Sequence, residues 1–154
     1  MLPVQGQNNR RERAGMEITP DRERAIREKF DTNHFPKLLG IEIDEVHRGR
    51  ARLSVQVRKD HLQLQGVMHG GAIASLIDTA VAFAFVGASE PEDRFTTVEM
   101  KVNYLSAIRE GRVIADARLI RDGRRIVVAE CDVFDEKGRL AAKGLLTYIR
   151  LSGE

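Results

Sequence analysis

The chain has 154 residues, 42% of them hydrophobic, and a net charge of +2 from 25 basic and 23 acidic side chains spread along its length. That length suits one domain with a real core, and so even a charge balance, with no basic stretch interleaved with aromatics, argues against nucleic acid as a partner. The single cysteine, Cys131, cannot form an internal disulfide, which fits a reducing compartment, the cytoplasm.

The opening stretch (MLPVQGQNNRRERAG) is polar, carries the basic cluster Arg10-Arg11-Glu12-Arg13 and lacks the apolar run of a secretory signal. Residues 1–18 read as a flexible tail before a single domain spanning 19–154. Thr19-Pro20-Asp21 supplies a cap and a first-turn proline for a helix that runs to about Asn33, with Ile26 and Phe30 four apart on one face. Phe35, Pro36, Leu38 and Leu39 then read as an apolar connection. Ile41, Ile43 and Val46 lead into the polar turn His47-Arg48-Gly49-Arg50, after which Ala51, Leu53, Val55 and Val57 alternate with polar residues. Residues 40–58 therefore predict a β-hairpin.

A loop over 59–69 precedes a helix over about 70–87, stopped by Gly87 and the polar run Ser89-Glu90-Pro91-Glu92-Asp93. Strand patterns follow at 95–105, 112–121, 124–134 and 139–150, with turn signals at Asp122-Gly123 and Asp135-Glu136-Lys137-Gly138. Four consecutive strands read as hairpin-linked, so the expected class is α+β with an antiparallel sheet rather than a doubly wound parallel one. A helix apolar on nearly every side needs cover all round. A strongly curved sheet wrapped about it, with partner subunits covering the remainder, would provide that.

From Gly70 to Ser89 the only charge is Asp78. The segment has the roughly 20 residues of a membrane span, but a central Asp costs roughly 2.5–3.5 kcal/mol in a bilayer. The core helix of a soluble protein is the better reading. A carboxylate among so many apolar side chains is kept when it is paired, hydrogen-bonded or used in chemistry. The helix opens with His69-Gly70-Gly71, where unpaired backbone N–H groups and the positive dipole end could hold a polarised carbonyl oxygen. Asp78 could serve as general base or nucleophile, with Ser75 and Thr79 close enough in sequence to tune it. Eight residues of helix rise about 12 Å, so Asp78 cannot reach a carbonyl held at its own helix tip. If both serve one reaction, two chains combine. The bland alternative is a satisfied buried Asp and a tight turn. His34, His47 and His61 have no ligand-like spacing with each other or with Cys131, so no metal site is expected.

The pattern His61-x-Gln63-x-x-Gly66-x-x-His69-Gly70-Gly71-x4-Ser75-Leu76-x-Asp78-x-Ala80 closely resembles the signature of hotdog-fold acyl-CoA thioesterases of the PaaI type. The likeness continues through Thr96–Leu105, Gly111, Asp122-Gly123-Arg124 and Ala141-x-Lys143-Gly144, and so covers about residues 36–150. It implies a long helix wrapped by a curved antiparallel sheet, assembled as a homodimer or homotetramer. It also implies hydrolysis of an acyl-CoA thioester, with CoA part of the substrate and no metal or redox cofactor. By that likeness Gly70 N–H polarises the thioester carbonyl and Asp78 of the facing subunit attacks it or activates water. Gln63 contacts the carbonyl or the lytic water, Thr97 stands near that water, and His69 orients the loop. Coenzyme A would be held by the turn carrying Arg121, Gly123, Arg124 and Arg125, with Gly71, Lys59 and Tyr104 further candidates. Many relatives carry Asn at Gln63 and Pro at Ala107. The acyl group stays open, and a non-catalytic acyl-CoA or aromatic-ligand binding module on the same fold is the alternative.

Overall fold

The computed structural model describes residues 17–151. All but Glu17 and Ile18 of the expected tail lies outside them. Helix α1 (Pro20–Asp31) starts as its sequence dictates. Thr19 accepts the Arg22 N–H at 3.2 Å, proline fills the first turn, and Asp21 and Glu23 face the positive dipole end. It buries Ile26 and Phe30. The apolar connection after it is instead a short second helix, α2 (His34–Leu39), closed by Gly40 at φ 68°. Pro36 fits there because first-turn amides need no helical acceptor, and six residues are too few to display a helical period.

Strands β1 (Ile41–His47) and β2 (Arg50–Gln56) form the predicted hairpin, Val46 opposite Ala51 and His47 opposite Arg50. Helix α3 (Gly70–Ala88) follows, then β3 (Arg94–Tyr104), β4 (Arg112–Asp122), β5 (Ile126–Phe134) and β6 (Leu140–Leu151). All strand pairs are antiparallel in one six-stranded sheet of order β1-β2-β4-β5-β6-β3. The expected hairpin between β3 and β4 does not form. The link 105–111 carries the chain away instead, anchored by buried Ile108, whose carbonyl accepts the Met68 N–H at 2.7 Å, and by Gly111, whose carbonyl accepts the Val57 N–H at 3.0 Å. Thus β4 joins β2, and β3 becomes an edge strand beside β6.

Helix α3 touches all six strands, so the sheet curves round it. This is the α+β class expected from the strand order and the hotdog architecture that the family resemblance implies. Ile73, Leu76, Ile77, Ala80, Phe83, Ala84 and Phe85 are buried against the inward-facing Leu53, Val113, Ala115, Val127, Ala129, Cys131 and Leu146. The helix and sheet also meet tightly at Gly144 of β6, where a Cβ would stand 2.7 Å from Ile77 Cγ2. Alanine there would require Ile77 or its helix to shift. The apolar run that could have crossed a membrane is the core of this fold.

Candidate active site

The tip of α3 is held by the loop before it. His61 is buried; its Nδ1 accepts the Arg58 N–H at 3.1 Å and its carbonyl accepts the His69 N–H at 2.7 Å. Burial pushes the imidazole pKa down, the Arg58 cation adds to this, and the Leu39 backbone opposes it. A neutral ring with Nδ1 unprotonated fits that acceptor role. His69 caps α3 in the same way, its Nδ1 accepting the Gly71 N–H at 2.8 Å. The Ala72 and Ile73 amides donate to the His69 carbonyl at 2.9 and 3.2 Å. Of the first four amides of the helix, Gly70 N–H is therefore left without an acceptor among the described residues. A free donor at the positive dipole end is a group that can polarise a carbonyl oxygen.

Tyr104, at the end of β3, donates its hydroxyl to the Gly70 carbonyl at 3.0 Å. Its ring lies so close that a Cβ on Gly70 would be 3.2 Å from Tyr104 Cζ. Gln63 is exposed, and its backbone closes a small loop by accepting from Gly66 and donating to Val67, both at 2.9 Å. Lys59 is exposed on the turn Lys59–His61. The structure thus gathers Lys59, Gln63, His69, Gly70, Gly71 and Tyr104 at one end of α3.

Asp78 stands two turns further along, half-buried, about 12 Å up the helix axis from Gly70. Thr97 Oγ1 donates to its Oδ1 at 2.9 Å and Tyr148 Oη at 2.8 Å. Thr97 spends its one proton there, so a water beside it could only donate to its oxygen. Ser75 and Thr79, expected to tune Asp78, instead bond back to the Gly71 and Ser75 carbonyls at 2.8 and 2.7 Å. Tyr148 escaped the sequence reading because it looks like any inward aromatic of a strand. Burial first, and the Asp78 charge second, push its phenol pKa far up, so it is a committed donor.

Thr97, Tyr148, Val127 and Asp122 lie opposite one another across β3, β6, β5 and β4. At about 4.8 Å per strand the Asp122–Gly123 turn is therefore roughly 14 Å from Thr97, on the Asp78 side of the protomer and not at the Gly70 tip. Arg121, Arg124 and Arg125 are exposed around it. Arg150 braces this turn, pairing with Asp122 at 2.5 Å and Asp93 at 2.8 Å, reaching the Gly123 carbonyl at 3.3 Å and lying 4.4 Å over the Phe85 ring. Nothing in the motif pointed to Arg150. Cys131 is sealed in the core, and burial pushes its thiol far up, so it is no nucleophile.

Known proteins share this fold. The family model described as the thioesterase superfamily matches residues 65–142, a span that includes the α3 tip, Asp78, Thr97 and the Gly123 turn. The medium/long-chain acyl-CoA thioesterase YigI of Escherichia coli is 28% identical over 130 residues, covering 75% of this chain and 84% of that protein. A thioesterase family protein from Silicibacter pomeroyi superimposes with a TM-score of 0.80 at 27% identity, over 86% of this chain and 99% of that one. A mutant of the phenylacetic acid degradation protein PaaI from Thermus thermophilus gives 0.72 at 30% identity, over 77% and 100%. The shared fold and the matched half of the sequence mean that this chain belongs to the thioesterase superfamily and is a hotdog-fold thioester hydrolase.

Proposed function

We propose that the chain hydrolyses acyl-CoA thioesters to a free carboxylic acid and CoA in a site shared by two copies. Gly70 N–H of one protomer polarises the thioester carbonyl. Asp78 of its partner either takes the proton of the water that attacks or attacks the carbonyl itself; the C–S bond breaks and the thiolate leaves as CoA, and in the second case water then opens the acyl-aspartyl anhydride to release the acid and regenerate Asp78. Gln63 and His69 belong to the carbonyl side. The Gly123 turn, with Arg121, Arg124 and Arg125, belongs to the acid side, where CoA phosphates would find cations; Lys59 and Tyr104 would meet CoA from the tip side. The likeness to YigI supports an acyl-CoA substrate.

One observation carries this reading. The free amide and the acid sit on one rigid helix about 12 Å apart, too far to touch one carbonyl from within a single protomer. The edge strand β3 supports pairing of two copies. It spans Arg94–Tyr104, buries none of its residues fully, and leaves Met100 40% exposed although it faces buried Leu146 on the helix side. A long, open edge of this kind invites another strand.

Complementation tests it. Asp78→Asn removes the acid, with turnover expected to fall at least ~100-fold; Gly70→Pro removes the amide. Mixing the two inactive variants under subunit exchange should restore roughly a quarter of wild-type activity, because half of randomly assorted dimers are mixed and each has one intact site. No recovery, with mixed dimers shown to form, would refute a site built from two chains.

A further inference from the structure

The two oxygens of Asp78 are not equivalent. Oδ1 receives the hydroxyls of both Thr97 and Tyr148, at 2.9 and 2.8 Å, whereas Oδ2 accepts from none of the described residues and is not sealed from solvent. We propose that Tyr148 is a positioning residue which, together with Thr97, pins Oδ1 so that Oδ2 is the oxygen that acts on the thioester or its attacking water. The inference rests on the acid role assigned to Asp78 above and says which atom of that residue does the work and what aims it.

A half-buried Asp on a helix, with no donors, would sample its terminal torsion broadly and offer either oxygen. Two hydroxyl donors on a single oxygen remove that freedom and occupy the lone pairs of Oδ1, leaving those of Oδ2 for chemistry. The donors are themselves rigid. Tyr148 is 2% exposed, its ring stacked on Phe95 at 5.5 Å and 19° and edge-on to Phe85 at 6.4 Å, while Phe85 and Phe95 meet at 4.3 Å. A ring boxed in this way cannot swing its hydroxyl elsewhere. The Asp78 carbonyl, 2.9 Å from the same hydroxyl, is another acceptor within reach, and for the single phenolic proton the carboxylate oxygen is the stronger partner. Thr97 lies directly opposite Tyr148 in the β3–β6 ladder, next to the bulge between Thr97 and Glu99, and so approaches the carboxylate from the edge strand. A first group fixed by buried neighbours is the usual means of holding a reacting atom to a few tenths of an ångström.

The full-length enzyme is assayed by CoA thiol release from a panel of acyl-CoA esters, with thermal unfolding recorded on the same samples. Tyr148→Phe keeps the boxed ring and deletes only the donor, and Thr97→Val deletes the other. Each should lower kcat by about 10-fold with KM within about two-fold. Thr97→Ser should recover most of the Thr97→Val loss. The double variant should lose more than the product of the single losses, because in each single variant one donor still anchors Oδ1. A double variant that keeps wild-type kcat while Asp78→Asn is inactive would overturn the inference and leave the hydrolase reading standing. A loss confined to KM would overturn it too. An Asp78→Asn enzyme with wild-type turnover would remove the acid role and this inference with it.

Discussion

Gly70→Pro isolates a single hydrogen atom. Proline is at home in the first position of a helix, where its missing N–H has no internal acceptor to lose, and among the described residues Gly70 N–H has none. The residue before a proline must be extended, and His69 already is, at φ −63° and ψ 135°. The cost is steric. Any Cβ at position 70 meets Tyr104 Cζ at 3.2 Å and its hydroxyl oxygen at 3.3 Å. Tyr104 is 53% exposed and can give way, losing its bond to the Gly70 carbonyl. That loss is worth about 1 kcal/mol, and the reduced freedom of the unfolded chain offsets about 0.4–1 kcal/mol of it. Stability should therefore stay within about 1 kcal/mol of wild type, a Tm change of roughly 2–4 °C at this chain length. Gly70→Ala is the control, since it brings the same Cβ and keeps the N–H. Losing one oxyanion donor costs about 100- to 1000-fold in kcat, so the proline variant should fall below the alanine variant by that factor, read as CoA thiol release. If the two variants have equal kcat and equal Tm, the Gly70 amide takes no part in the reaction.

Two further outcomes follow from the braces around the site. Arg150→Met keeps an apolar stem over Phe85 but drops the pairs to Asp93 and Asp122, freeing the Gly123 turn. KM for acyl-CoA should rise by about 3- to 10-fold with kcat nearly unchanged, and an unchanged KM would separate that turn from CoA binding. His61 has its pKa held below the usual 6.5 by burial and by Arg58. The unfolded chain therefore binds a proton there before the folded one does, so its stabilising contribution is complete above about pH 6.5 and lost as the pH falls towards the folded value. His61→Asn keeps an acceptor for the Arg58 N–H and cannot titrate. Wild-type Tm should thus fall more than the variant's between pH 8 and 5.5, and parallel curves would refute the assignment.

Those braces also mark where sequence reading succeeds and where it stops. The lone charge of α3 and the glycines eight positions before it were legible, because a carboxylate amid apolar residues and a glycine pair at a helix start are local signals. The hairpin of β1 and β2 was legible for the same reason. Strand partnership was not. Periodicity shows that Arg94–Tyr104 is a strand but not that it leaves β4 for β6, which is decided by where Ile108 and Gly111 anchor the link between them. That displacement also hides the convergence of two hydroxyls on Asp78, since Thr97 comes to lie opposite Tyr148 only because β3 runs beside β6. Ser75 fails for a different reason. Its spacing places it near Asp78 on the helix surface, yet a hydroxyl on a helix finds the carbonyl four residues back first.

Two problems left by one protomer have a common solution in the proposed dimer. The edge strand β3 presents Met100 on the helix side, opposite a buried leucine yet 40% exposed. Separately, α3 keeps its free amide and its acid about 12 Å apart along one axis, a distance that no side-chain rotation closes. A second copy added at β3 would bring a second helix to the uncovered edge. The strand that it pairs with carries Thr97 at the acid and Tyr104 at the amide tip. The contact that completes the sheet is thus laid along the two halves of the site, so a substitution that opens the β3 edge should lower activity in step with the loss of dimer. Were an isolated protomer to turn over acyl-CoA at the dimer's rate per chain, measured at concentrations spanning dissociation, the shared site would have to be abandoned while the fold and the family stood unchanged.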